Sequence, residues 1–158
     1  MPSILFVCTA NICRSPMAEA IFKSKVAGDE NASGWRVESA GTWAAGGQPA
    51  AEFSRQVMQA RGLDIGEHRS QNITRELVHA FDLILTMEKN HKEALRAEFP
   101  EFAQKIYLLS EMAGSSNDVE DPVGRSKDDY QAAADEIDRL VTAGFEAIQR
   151  LSTKRSSG

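Results

Sequence analysis

The chain has 158 residues, the size of one domain with room for an ordinary buried core. Apolar residues make up 42% and charged residues 26%, a balance that excludes an intrinsically disordered chain. The formal net charge is −5 and no Lys/Arg cluster exceeds Lys154-Arg155, which excludes the electrostatic footprint of a nucleic-acid binder.

Taken in chain order, Ile4-Leu5-Phe6-Val7 reads as a buried strand over residues 3–7. Ser15-Pro16 reads as an N-cap followed by proline at the first helical position, which predicts a helix over 16–26. Residues 28–34 are a polar turn, and Trp35-Arg36-Val37-Glu38-Ser39-Ala40 alternates as a strand does. Residues 41–49 hold three glycines and read as a loop. A helix is expected over 50–60, with Phe53, Val57 and Met58 on one face and Gly62 just past its end. A short helix follows at 74–79, then a central strand at 82–87. The next helix spans 88–99 and stops at Pro100, and Ile106-Tyr107-Leu108-Leu109 forms a fourth strand. Residues 111–126 are a loop rich in glycine, serine and aspartate. Ser126 then caps a long helix with the stripe Tyr130, Ala133, Ile137, Leu140, Val141, Phe145, Ile148 and Leu151. The domain is expected to end near residue 152, leaving 153–158 as a flexible tail.

Strands alternating with helices predict a three-layer α/β sandwich, a four-stranded parallel sheet with helices on both faces. Ligands in such sheets bind outside the carboxyl ends of the strands. Cys8 and the loop holding Asp121 both follow the ends of apolar strands, so both are expected on that edge. There is no internal repeat and no domain boundary.

The most informative stretch is Val7-Cys8-Thr9-Ala10-Asn11-Ile12-Cys13-Arg14-Ser15-Pro16. A strand, a short loop and a helix start fit into about a dozen residues, aiming backbone N–H groups and the positive end of a helix dipole into one concavity. A cysteine at the mouth of an anion site is favoured as thiolate, which is the nucleophilic form. Arginine offers a planar fork that matches two oxygens of a phosphate. A cysteine after an apolar strand is more often inert packing. The arginine six residues on and the helix start reverse that reading. Arg14 at a helix N-terminus also opposes the dipole, a conflict that a bound anion relieves. Ser15 can serve as N-cap or as hydrogen-bond donor to the thiolate. Asn11 in mid-loop can simply supply a positive φ. Asp121-Pro122 alone reads as a turn. Set beside a thiolate and an arginine, its carboxyl is the acid that a phosphate ester's leaving oxygen needs, and Pro122 fixes the backbone that presents it.

The string Cys8-x-x-Asn11-x-Cys13-Arg14-Ser15-Pro16, with Asp121-Pro122 far downstream, resembles the low-molecular-weight protein tyrosine phosphatases over nearly the whole chain. The resemblance implies a cysteine-dependent hydrolysis of phosphotyrosine in proteins through a cysteinyl-phosphate intermediate. Cys8 would be the nucleophile, Arg14 the transition-state clamp and Asp121 the general acid. Thr9, Ala10, Asn11, Ile12, Cys13, Arg14 and Ser15 would cradle the phosphate. It further implies that Asn11 is held by Ser15, Ser39 and His68, and that Cys13 either packs in the loop wall or protects Cys8 by forming a disulfide with it.

In this family isoleucine at the position of Ile12 accompanies phosphotyrosine, whereas phosphoarginine enzymes carry threonine there. Val123-Gly124 follow Pro122 where many members place tyrosines, so the wall for the aromatic ring falls to Trp43 or Tyr130, unless Trp43 is core. Another phosphomonoester or phosphoarginine is the alternative substrate. Related arsenate reductases need further cysteines, and none follows Cys13. The partners implied are a phosphotyrosine protein and a tyrosine kinase, with no cofactor; a monomer is expected.

The two cysteines and three histidines show no close zinc-ligand spacing, so no metal is expected. No apolar stretch approaches the roughly 18 residues that cross a bilayer, and Met1-Pro2-Ser3 lacks the positive charge of a signal peptide. With two cysteines and no disulfide framework, a cytoplasmic, reducing location is expected.

Overall fold

The computed structural model describes residues 1–28 and 34–156, and side chains as far as residue 153. Residues 29–33 of the expected polar turn lie outside the described residues. Four strands, β1 (Ser3–Cys8), β2 (Arg36–Gly41), β3 (Leu83–Thr86) and β4 (Ile106–Leu108), form one sheet in the order β2-β1-β3-β4. Every pair is parallel. Helices α1 (Arg14–Ala27), α2 (Glu52–Ala60) and α5 (Lys127–Ser156) share one layer; α3 (Arg75–Ala80) and α4 (Lys89–Glu98) form the other.

The apolar run in β1 explains its place in the middle of the sheet. All six of its residues are buried, because both faces are covered. With a period of two, Ile4 and Phe6 join the core under α1 and α5, while Leu5 and Val7 join the core under α3 and α4. The buried stripe of α5 is Tyr130, Ala133, Ala134, Ile137, Leu140, Val141 and Ile148. Of the other stripe positions, Phe145 and Leu151 are half-buried. Phe145 completes an aromatic cluster with Phe22 and Trp35.

Three local expectations are corrected. Helix α1 starts at Arg14, with Cys13 and not Ser15 in the N-cap position. The Ser15 hydroxyl is engaged inside the loop by Cys8 and Asn11, so it is not available to cap. Pro16 is tolerated at the third helical position because the first four N–H groups of a helix have no intrahelical partner. Next, the stretch expected as loop from 111 opens with a 3₁₀ turn, Leu109–Ala113, that packs under α5; another, Pro100–Lys105, follows α4. Finally, α5 continues through Ser156, past the expected end at 152. Ser152 is fully buried and its hydroxyl donates to the Ile148 carbonyl at 2.7 Å.

The order β2-β1-β3 means the chain leaves β1 to one side and later returns to the other. The crevice at such a reversal, outside the carboxyl ends of the strands, is the preferred ligand position in this architecture. It lies here between the ends of β1 and β3, beside Cys8.

Candidate active site

Cys8 ends β1, and the chain from Thr9 to Cys13 curls before entering α1. The curl is held from outside through its carbonyls. Thr42 N–H donates to the Cys8 carbonyl at 3.0 Å, Trp43 N–H to Thr9 at 2.9 Å, and Ala51 N–H to Ile12 at 2.8 Å. His68 Nε2 donates to the Asn11 carbonyl at 2.7 Å and Ser54 Oγ to that of Cys13 at 3.2 Å. In a trans peptide the N–H points opposite to the preceding C=O. The amides of Thr9, Ala10, Ile12, Cys13 and Arg14 are therefore turned away from those partners, toward the inside of the curl. Gly41 allows β2 to press this close, since a Cβ there would collide with the Thr9 carbonyl.

Asn11 sits at φ 59°, the left-handed conformation that asparagine tolerates better than most residues. Its amide group is fully used. Nδ2 donates to Ser15 Oγ at 2.8 Å and to Ser39 Oγ at 3.0 Å, and Oδ1 accepts from Gln71 N–H at 2.9 Å. The structure thus brings Ser15, Ser39 and His68 to Asn11, although His68 reaches its backbone and not its side chain. Cys8 Sγ lies 3.0 Å from Ser15 Oγ.

Arg14 is 1% exposed. Its Nη1 is bound to a Glu88 carboxylate oxygen at 2.6 Å and donates to the Val119 carbonyl at 2.6 Å. Its Nη2 lies 3.6 Å from Asp121, while its Nε is buried and without a partner among the described residues. A buried guanidinium with an unpaired donor is costly. The N-terminus of α1 compounds the charge, since it has no side-chain cap and no acidic residue in its first turn. Both features ask for an anion at one place.

Asp121 reaches Arg14 through the tethering of its loop. Val119 is buried, its N–H donates to the Met87 carbonyl at 2.9 Å beyond β3, and its own carbonyl holds Arg14. Two residues on, Asp121 accepts from Val123 N–H at 3.0 Å in a turn beginning at the buried Pro122. One carboxylate oxygen is engaged in this turn and the other faces Arg14.

Ile12 is half-buried against the core, and Trp43 is 84% exposed beside Ala10 and Thr42, so Trp43 is not a core residue. Tyr130 does not replace the missing wall. It is buried edge-on against Phe53, with its hydroxyl 3.5 Å from Cys13 Sγ. Burial pushes the Cys13 thiol above its ordinary value, and both cysteines are free.

Two residues of the site were missing from the sequence reading. Glu88, the partner of Arg14, follows β3 by two positions. His91 on α4 lies 2.8 Å from Thr9 Oγ1. The available signal was weak: a carboxylate just past the end of a central strand, in the edge where this fold puts its ligands.

A family model described as low molecular weight phosphotyrosine protein phosphatase matches residues 3–154. The chain is 35% identical to a protein-arginine-phosphatase of Geobacillus stearothermophilus, over 92% of this chain and 95% of that protein. It is 36% identical to a probable low molecular weight protein-tyrosine-phosphatase, EpsP, of Ralstonia nicotianae, over 94% of this chain and 97% of that protein. The crystal structure of a low molecular weight protein tyrosine phosphatase from T. tengcongensis superimposes with a TM-score of 0.85 at 39% identity, covering 93% of this chain and 99% of the other.

Proposed function

Because the chain belongs to the low-molecular-weight phosphotyrosine protein phosphatase family, we propose that Cys8, Arg14 and Asp121 carry out a two-step hydrolysis of phosphotyrosine in proteins. The observation that carries this reading is Arg14. Its Nη1 is occupied by Glu88 and Val119, leaving the Nε–Nη2 edge for two phosphate oxygens at the foot of the Cys8 loop. In the first step Cys8 Sγ attacks phosphorus in line with the leaving oxygen. Arg14 and the inward amides of Thr9, Ala10, Ile12 and Cys13 meet the charge on the equatorial oxygens. Asp121 gives its proton to the leaving oxygen, then as carboxylate takes one from the water that splits the cysteinyl-phosphate. Ser15 Oγ, 3.0 Å from Cys8, stabilises the departing thiolate. Ser39 and His68 keep the loop in shape through Asn11.

Ile12 and the exposed Trp43 favour an aromatic phosphate ester, the ring resting on the indole. A protein-bound phosphotyrosine, and the kinase that makes it, are the corresponding partners. The cytoplasm is the corresponding compartment, where a reducing milieu preserves the thiol. A second reading, phosphoarginine, is favoured by Val123. It follows Pro122, is 56% exposed and supplies no aromatic wall, and relatives named protein-arginine-phosphatase match over most of the chain. Hydrolysis rates on matched peptides bearing phosphotyrosine, phosphoserine or phosphoarginine decide between them. The expected order puts phosphotyrosine first and phosphoserine last. A kcat/KM highest for phosphoarginine replaces the first reading with the second, and turnover of none of them removes both.

The spacing Cys8-x4-Cys13 puts a second thiol in the same curl, and it gives a redox prediction. Peroxide should oxidise Cys8 to sulfenic acid, which condenses with the Cys13 thiol to a disulfide and water. Cys13→Ser is then expected to keep most activity yet be inactivated irreversibly by peroxide. Mass spectrometry should find the two wild-type peptides linked with loss of two hydrogens. Direct oxidation of Cys8 to sulfinic acid with Cys13 free would leave Cys13 a packing residue against Tyr130.

A further inference from the structure

His91 stands at the third position of α4, with a ring that is 2% exposed. Its Nδ1 accepts from the Glu88 backbone N–H at 3.2 Å, so in the neutral ring the proton resides on Nε2. That Nε2 lies 2.8 Å from Thr9 Oγ1 and therefore donates to it. Capping α4 explains the first bond alone, and a glutamate or glutamine serves that purpose as well. The second bond leaves the helix for the first residue after Cys8. Thr9 begins the curl and Arg14 ends it, and Glu88 holds Arg14. A chain of contacts from Thr9 through His91 and Glu88 to Arg14 thus brackets the curl from outside, joining its two ends.

We infer that His91 is a positioning residue for phosphate binding: through Thr9 it fixes the first turn of the anion loop, so that the Thr9 and Ala10 amides stay aimed at the phosphate. This rests on the reading of the Cys8 loop as a phosphate site. Neutrality of the ring supports it. Burial holds the His91 pKa below its ordinary value, and Arg14 acts in the same direction against the opposing fields of Glu88, Asp118 and Asp121. A protonated ring would present an N–H to the Glu88 N–H and lose the bond that orients it. Amides that already meet the phosphate in the ground state affect affinity first, and turnover only by what they add in the transition state.

Asparagine and glutamine separate the two bonds. Asn Oδ1 falls where Nδ1 is, keeping the Glu88 contact only, and Gln Nε2 falls where Nε2 is, keeping the Thr9 contact only. Inorganic phosphate is titrated by calorimetry into wild type, His91→Asn, His91→Gln, Thr9→Val and Thr9→Val/His91→Asn, and kcat and KM are measured with p-nitrophenyl phosphate. His91→Asn and Thr9→Val are each expected to weaken phosphate binding and raise KM by roughly 3–10-fold, the worth of one buried hydrogen bond, with a smaller loss in kcat. His91→Gln should restore wild-type affinity. The double variant should be no worse than the poorer single one, since both remove the same bond.

Unchanged phosphate affinity in Thr9→Val and His91→Asn overturns the inference, as do multiplicative losses in the double variant. Should the His91 variants fail to fold, Thr9→Val tests the same bond from the loop side, and unchanged affinity there overturns it. A wild type that binds phosphate but turns over no aryl phosphate overturns the functional reading alone. A wild type that binds no phosphate overturns both.

Discussion

Cys8→Ser is expected to bind phosphate about as well as wild type while losing steady-state hydrolysis by more than about 10³-fold, a loss typical for removal of a nucleophile. The two halves of this result have separate causes. Turnover is lost because a hydroxyl is not ionised near neutral pH, and its neighbour Ser15 is no base to activate it. Affinity is kept because the cradle does not depend on sulfur. The carbonyls of the curl remain tied to Thr42, Trp43, Ala51, His68 and Ser54, and Arg14 still offers its Nε, with Nη2 3.6 Å from Asp121. Calorimetric titration with phosphate and steady-state assay of the same preparation provide the check. Residual hydrolysis above about a thousandth of wild type would move the nucleophile elsewhere. Arg14→Lys should fail differently, losing affinity as well. A point charge cannot occupy Glu88, the Val119 carbonyl and two phosphate oxygens at once.

The contrast between these positions reflects how much of the site was legible in the chain. Cys8, Asn11, Arg14 and Ser15 lie within eight consecutive residues, so their proximity follows from covalent connection. The strands were legible because a sheet buried on both faces demands apolar runs such as Ile4-Leu5-Phe6-Val7. Glu88 and His91 were not legible, because their approach depends on β3 pairing with β1, a choice of strand order that no local pattern encodes. The Val119 carbonyl was hidden for another reason: a backbone acceptor has no signature in residue type. The N-cap was misplaced by one physical conflict. Ser15 has the right chemistry to cap α1, but the loop uses its hydroxyl for Cys8 and Asn11, leaving the helix terminus bare for an anion. A local rule fails there because a function competes for the same atom. Trp43 shows the complement. Its exposure of 84% could not be read from a glycine-rich loop, since large aromatics more often pack inside.

Asp121→Asn is expected to lower kcat/KM for a peptide phosphotyrosine by roughly 10²–10⁴-fold, the usual worth of general acid catalysis. An amide at this place can still accept from Val123 N–H and lie near Arg14, so the turn and the loop tether at Val119 should persist. What it cannot do is deliver a proton. The deficit should therefore follow the basicity of the leaving oxygen. Across a series of aryl phosphates the loss should be largest for phenols of high pKa and shrink toward those that depart unaided. A plot of log kcat/KM against leaving-group pKa should be steep for Asp121→Asn and shallow for wild type, where proton transfer offsets the developing charge. The second step offers an independent reading. If Asp121 also activates water, the variant should accumulate cysteinyl-phosphate with good leaving groups, visible as a burst of phenol under rapid mixing. Parallel plots with a uniform loss would make Asp121 a residue that only shapes the turn before Pro122, and the proton donor would then have to come from the substrate or from water.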